Sequence, residues 1–133
     1  MAKAEKYGYR DQRISSRHRL YGADCPMVDI DFIGCEYYHK QPKAIIEYKH
    51  IRQVKPIWQQ ANYTTLNNLA NMAGLPFYVS LYNPFTWDYE VHPGNTLAMN
   101  VINNMTILSE KRYYAFLCYL RGIEVDQNIL RNL

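Results

Sequence analysis

Four ionisable side chains fall on two short, otherwise apolar runs. Asp29 and Asp31 lie in the run from Val28 to Ile33, and Glu47 and Lys49 lie in the run from Ala44 to Lys49. Side chains alternate across a strand with a period of two. As strands, the first run puts Asp29 and Asp31 on one face and Val28, Ile30 and Phe32 on the other. The second puts Glu47 and Lys49 on one face, with Ile46 and Tyr48 opposite. Pairing of the two strands would bring carboxylates from both together beside an ammonium. Burying such a group without a partner is costly, so a bound cation or access to solvent is the expected relief. The spacing therefore marks a candidate metal-ion site.

The elements that must hold these residues follow from turn and helix signals. His39 to Pro42 reads as the hairpin connection between the two strands. Pro56 reads as the start of a helix carrying Trp58, Ala61, Leu66, Leu69 and Ala73 at helical spacing, with Gly74 as its stop. Phe77–Tyr82 is predicted as a strand. Phe85–Val91 alternates strictly and is predicted as a half-exposed antiparallel strand, His92–Asn95 as a turn, and Thr96–Ile102 as a further strand. Ser109 should cap a last amphipathic helix over Glu110–Arg121, ended by Gly122. Upstream, Ser15 and Ser16 suit the cap of a short helix through Arg17–Tyr21. Residues 1–14 form a basic, tyrosine-containing arm. The expected fold class is α/β: one domain over 1–133, with a small mixed sheet, a crossover helix and flanking helices.

Composition narrows the class of function. At 133 residues and 48 % apolar, the chain can bury a core and is not compositionally disordered. No apolar run approaches a membrane span, and the polar start does not suit a secretory signal. Cys25, Cys35 and Cys118 are odd in number and widely spaced, which suits reduced thiols in a cytoplasmic protein rather than a disulfide framework. Thirteen Tyr stand against four Phe, a choice that fills half-buried layers while keeping hydroxyls and stacking faces. Net charge is only +3, but cations concentrate in residues 1–21 (including Arg13, Arg17 and Arg19) and between Lys40 and Lys55 (Lys40, Lys43, Lys49, Arg52, Lys55). Such stretches suit a polyanion, or simply a solvated surface. The common phosphate-loop, dinucleotide, serine-hydrolase and zincin motifs are absent.

The order of an acid, a hairpin, Glu47-Tyr48-Lys49 ending an apolar strand, a helix and another strand resembles the PD-(D/E)XK nuclease superfamily over roughly residues 15–82. Glu47-Tyr48-Lys49 is similar to the D-Y-K motif of its RecB-like members, and Gln59 with Tyr63 to their Q-x-x-x-Y motif. The resemblance implies a restriction-endonuclease-like core and Mg²⁺ as cofactor, with Mn²⁺ substituting. It implies Asp31 and Glu47 as metal ligands with the Tyr48 carbonyl, and Asp29 as an alternative ligand. Lys49 would orient the attacking water, with Gln59 positioning water or phosphate. It also implies DNA, including branched or single-stranded DNA, as substrate. Arg13, Arg17, His18, Arg19, Lys40, Lys43, Arg52, Lys55 and Tyr63 would contact the nucleic acid, and a homodimer would supply a second strand cut.

Each residue also has a plainer reading. Glu47 and Lys49 make an ordinary cross-strand charge pair, the aspartates a solvated strand face, and Gln59 and Tyr63 the polar flank of a helix. His50 points away from Lys49 and suits a structural role. The expected function is a Mg²⁺-dependent deoxyribonuclease. The alternative is a catalytically inactive nuclease-fold module that binds nucleic acid or a protein, such as an accessory or anti-defence factor of a phage or other mobile element.

Overall fold

The computed structural model describes residues 12–22, 28, 30–53, 56 and 58–133. Helix α1 (Gln12–Leu20) leads through β1 (Phe32–Glu36) and β2 (Gln41–His50) to α2 (Ala61–Ala73). The chain continues through β3 (Phe77–Tyr82), β4 (Tyr89–Pro93), the short helix α3 (Thr96–Met99) and β5 (Thr106–Leu108). It ends in α4 (Glu110–Arg121) and α5 (Gln127–Arg131). The five strands form one sheet in the order β1-β2-β3-β4-β5. Every neighbouring pair is antiparallel except β2 and β3, which run parallel. Parallel neighbours need a crossover connection, and α2 is that connection. The mixed α/β architecture expected from the sequence is the one observed.

Strand alternation divides the core into two layers. Ala44, Ile46, Tyr78 and Val91 face α4, where Tyr113 and Phe116 pack on them. Ile45, Phe77, Val79 and Leu81 face α2, meeting Tyr63, Leu66 and Ala70. The near-continuous apolar run of β3 reflects its central place, covered on both sides. Glu47 and Lys49 share the odd-numbered side of β2 with Ile45, and so belong to the α2 layer.

Several boundaries differ from the sequence expectation, each for a local reason. The first strand begins at Phe32, not Val28. Asp31 lies just before it and takes the Tyr48 N–H into its side chain, where a longer strand would have offered a backbone carbonyl. Helix α2 starts at Ala61 because Gln60 is extended (φ −62, ψ 141), and Trp58 instead packs edge-on against Tyr63 and Phe77. Gln59 therefore precedes the helix, so the Q-x-x-x-Y spacing does not put Gln59 and Tyr63 one turn apart on a shared helix face. The alternating run from Phe85 is not a strand before Tyr89. The Asn83 side chain accepts the Phe85 N–H at 2.9 Å, and its carbonyl accepts the Trp87 N–H at 2.7 Å, so the segment folds into a loop. The expected turn at His92 and Pro93 belongs to β4. The expected strand from Thr96 is α3, because Asn95 caps it by accepting the Ala98 N–H at 2.9 Å.

Helix α4 has the predicted bounds. Ser109 accepts the Arg112 N–H, and Gly122 ends the helix at φ 69 in the left-handed region. Gly74 does the same for α2 at φ 70. Helix α1 begins at Gln12, upstream of the expected serine cap, and ends before Gly22 as expected. Cys35 and Cys118 are free thiols. No helix among the described residues is long and apolar enough to cross a membrane. The expectations placed on residues 1–11, Cys25, Asp29 and Lys55 lie outside the described residues.

Candidate carboxylate site

The hairpin of β1 and β2 stops pairing at Phe32 opposite Ile46, two residues before Tyr48. There Asp31 Oδ2 accepts the Tyr48 N–H at 3.1 Å. Residues of a strand present N–H and C=O to the same edge. The Tyr48 carbonyl therefore points towards the Asp31 side, beyond the last β1 pair. Glu47, the preceding residue, is buried in the α2 layer at 6 % exposure. Lys49 Nζ lies 3.6 Å from Glu47 Oε1. Glu47 Oε2 is buried and meets no hydrogen-bond donor among the described residues.

The electrostatics of this group follow from that geometry. Burial pushes the Glu47 carboxyl up, the adjacent Asp31 carboxylate pushes it further, and Lys49 opposes both, leaving it at about 7. Two carboxylates beside one ammonium are relieved by a shared proton or by a cation. Tyr63, on the first turn of α2, is 5 % exposed and belongs to the same group. Burial raises its hydroxyl, and the charges of Lys49, Glu47 and Asp31 act on it as well. The fold thus gathers Asp31, Glu47, Lys49 and Tyr63, residues separated by up to two strands and a loop in the chain.

The donor chemistry fits a hard divalent cation. Two carboxylates and one carbonyl are oxygen ligands of the kind Mg²⁺ takes while keeping several waters. No cluster of three or more His, Cys, Asp and Glu side chains occurs among the described residues, so the carboxylate set there is Asp31 and Glu47.

The other expected site residues are placed less closely. Gln59 is exposed in the turn before α2. Tyr63 is buried against the acids rather than displayed on a surface. Arg13, Arg17 and Arg19 are exposed on α1, where Arg19 donates to Ser16 Oγ at 3.1 Å. His18 is half-buried and edge-on to Tyr21. Lys40, at φ 56, sits in the hairpin turn, Lys43 near the start of β2, and Arg52 just past its end. At about 3.3 Å per residue, Lys43 lies roughly 13 Å along the strand from Glu47, at the bulge where the register shifts between Gly34 and Cys35. The second basic stretch is therefore strung along a strand rather than gathered in one patch. His50 accepts the Arg52 N–H at 3.0 Å and packs edge-on to Tyr82, the structural role its alternation implied.

A wide cleft lies elsewhere. It lies across the sheet, on the α4 side, and is lined by aromatic residues including Tyr48, Tyr89 and Tyr113. Sequence reasoning missed it, although Tyr113, Leu117 and Arg121 recur every four residues, which puts them along one face of α4. No family model, curated protein or solved structure matches this chain.

Proposed function

We propose that the protein is a Mg²⁺-dependent nuclease that hydrolyses phosphodiester bonds in DNA, with Mn²⁺ able to substitute. The observation that carries this reading is Glu47 itself. It is a buried carboxylate with one oxygen that meets no donor among the described residues, set between Asp31 and Lys49 at the open end of a hairpin. Asp31, Glu47 and the Tyr48 carbonyl would hold the cation, with Asp29 as an alternative ligand. When bound, the cation supplies positive charge to a phosphoryl oxygen.

The chain's own residues do the rest. Lys49, whose side chain is 29 % exposed, reaches solvent from the Glu47 carboxylate and orients the attacking water while balancing phosphate charge. Tyr63, buried on the first turn of α2 within the field of these charges, closes the group on that side. Gln59, exposed before α2, contacts phosphate. The arginines of α1, with Lys43 and Arg52, hold the nucleic-acid backbone, and a homodimer provides the second strand cut.

A second reading has its own support. The described residues gather two carboxylates, not three, which suits a nuclease-fold module that binds nucleic acid or a protein partner without turnover. One experiment separates the two. Duplex, single-stranded, nicked and four-way DNA, together with RNA, are incubated with Mg²⁺ or Mn²⁺ and the wild type, Glu47→Ala or Lys49→Ala. Metal-dependent DNA cleavage lost in both variants supports the nuclease. A folded wild type that binds DNA and cuts none of the substrates overturns it in favour of the binding module.

A further inference from the structure

The aromatic cleft has features that core packing does not require. Its volume is about 970 Å³, at the upper end of small-molecule sites. At its base, Ser80 Oγ lies 3.1 Å from the Tyr113 hydroxyl, which lies 2.6 Å from the Tyr48 hydroxyl. Each hydroxyl carries one proton. Ser80 is fully buried with Tyr113 as its hydrogen-bond partner. Its proton therefore goes to Tyr113, since turning it elsewhere would leave a buried donor unmade. Tyr113 then donates to Tyr48, and the proton left over is that of Tyr48, which lines the cleft. Burial raises both tyrosines, so the chain stays protonated at neutral pH.

A second donor faces the same need. Arg121 also lines the cleft, and its Nε is buried without a hydrogen-bond partner among the described residues. It lies eight residues beyond Tyr113 on α4, roughly 12 Å along the axis. At the opposite end of α4 the cleft is bordered by Glu110, whose charge acts on the Tyr89 hydroxyl. The cleft is thus polarised, negative at the start of α4 and positive at its end. Its wall is held in a costly conformation: Trp87 sits at φ 58, a region that bulky residues avoid. Its indole stacks on Tyr82 with an interplanar angle of 16° and remains 43 % exposed.

We propose that this cleft binds an elongated aryl carboxylate, its carboxylate on Arg121, its ring among Tyr48, Trp87 and Leu117, and an oxygen at its far end accepting from Tyr48. This site is on the opposite side of the sheet from Glu47 and does not rest on the nuclease reading.

Calorimetric titration of the full chain tests it with 4-hydroxycinnamate, cinnamate, the neutral 4-hydroxycinnamyl alcohol and decanoate. The acid should bind saturably. The alcohol should bind about tenfold more weakly, and cinnamate several-fold more weakly. Arg121→Met should abolish the difference between acid and alcohol, and Tyr48→Phe the difference between 4-hydroxycinnamate and cinnamate. Thermal unfolding shows that each variant is folded, and the ligand comparison on wild type stands without any variant. No saturable binding by folded wild type, equal affinity for acid and alcohol, or tighter binding of decanoate overturns the proposal.

Discussion

Asp31 and Tyr48 are seventeen residues apart, and the Asp31 carboxylate closes the open end of the β1–β2 hairpin by accepting the Tyr48 N–H at 3.1 Å. This one bond sets the character of the site. It anchors a carboxylate next to buried Glu47, on the edge to which the Tyr48 carbonyl also points. A continued strand would have used that N–H in the ladder and turned the aspartate elsewhere.

The nuclease reading makes a sharp distinction between activity and stability. Glu47→Gln should reduce metal-dependent cleavage by roughly 100-fold or more, and Lys49→Ala by a similar factor. Glu47→Gln should leave Tm unchanged or higher, because the amide keeps the shape and removes repulsion from Asp31. Cleavage assays beside thermal unfolding check both. A cleaving Glu47→Gln variant would show that the carboxylate takes no part in the reaction.

Stability should depend on pH through the same residue. The folded Glu47 carboxyl titrates at about 7 against 4.5 for the ordinary group. The folded state therefore holds the proton more tightly than the unfolded chain between these values. The contribution is complete below about pH 4.5, declines as pH rises through 7, and is lost above it. Without divalent cations, wild-type Tm should fall across this window relative to Glu47→Gln. Added Mg²⁺ should restore it above pH 7 by binding the folded state. Differential scanning calorimetry in chelator and in Mg²⁺ reads both effects. Parallel Tm curves for the two proteins would remove Glu47 as the titrating group.

Asn95 joins three elements with one side chain. Its Oδ1 accepts from the N–H groups of Phe77 (3.2 Å) and Ala98 (2.9 Å), and its Nδ2 donates to Asn71 Oδ1 (3.0 Å) and the Leu75 carbonyl (2.9 Å). Asn95→Ala should destabilise by about 3 kcal/mol, through a lost cap and buried groups left unpaired. Asn95→Asp should also destabilise, since it replaces two donors by an acceptor facing Asn71 Oδ1 and the Leu75 carbonyl. Urea unfolding measures both. An aspartate variant as stable as wild type would contradict this assignment of the amide.

Gly94 is required by close approach. A Cβ there would stand 2.7 Å from Phe77 Cδ2, 3.1 Å from the Phe77 carbonyl oxygen and 3.1 Å from Trp58 Cζ3. The Gly94 N–H also donates to that carbonyl at 2.7 Å, so the backbone has no easy way to retreat. Gly94→Ala should destabilise by about 1–3 kcal/mol, read as a lower urea midpoint.

Much of the frame was legible in the chain. The hairpin, β3 and α4 follow from alternation, an apolar run bounded by turn residues, and a serine-to-glycine pair of caps. These signals are local, and the tertiary structure agrees with them. The failures share a cause. Phe85–Val91 alternates well enough for a strand, yet Asn83 captures the backbone ahead of the sheet. Thr96–Ile102 has strand composition, yet Asn95 caps a helix there. In both cases a short polar side chain competes with the ladder, and periodicity carries no trace of it.

For the site, the sequence alone determined that Glu47 and Lys49 share a face, because alternation along a regular strand leaves no other outcome. The expected convergence of Asp31 with them rests on a side-chain bond to Tyr48 that the sequence could not reveal, and it could not show that Tyr63 would be buried. The aromatic cleft was hidden for the same reason, since Tyr48, Ser80, Tyr113 and Arg121 come from three elements. Which hydroxyl is left with a free proton, and which guanidinium nitrogen meets no acceptor among the described residues, depends on contacts between residues distant in the chain. Only the packing of α4 and α2 on opposite faces of the sheet decides those contacts.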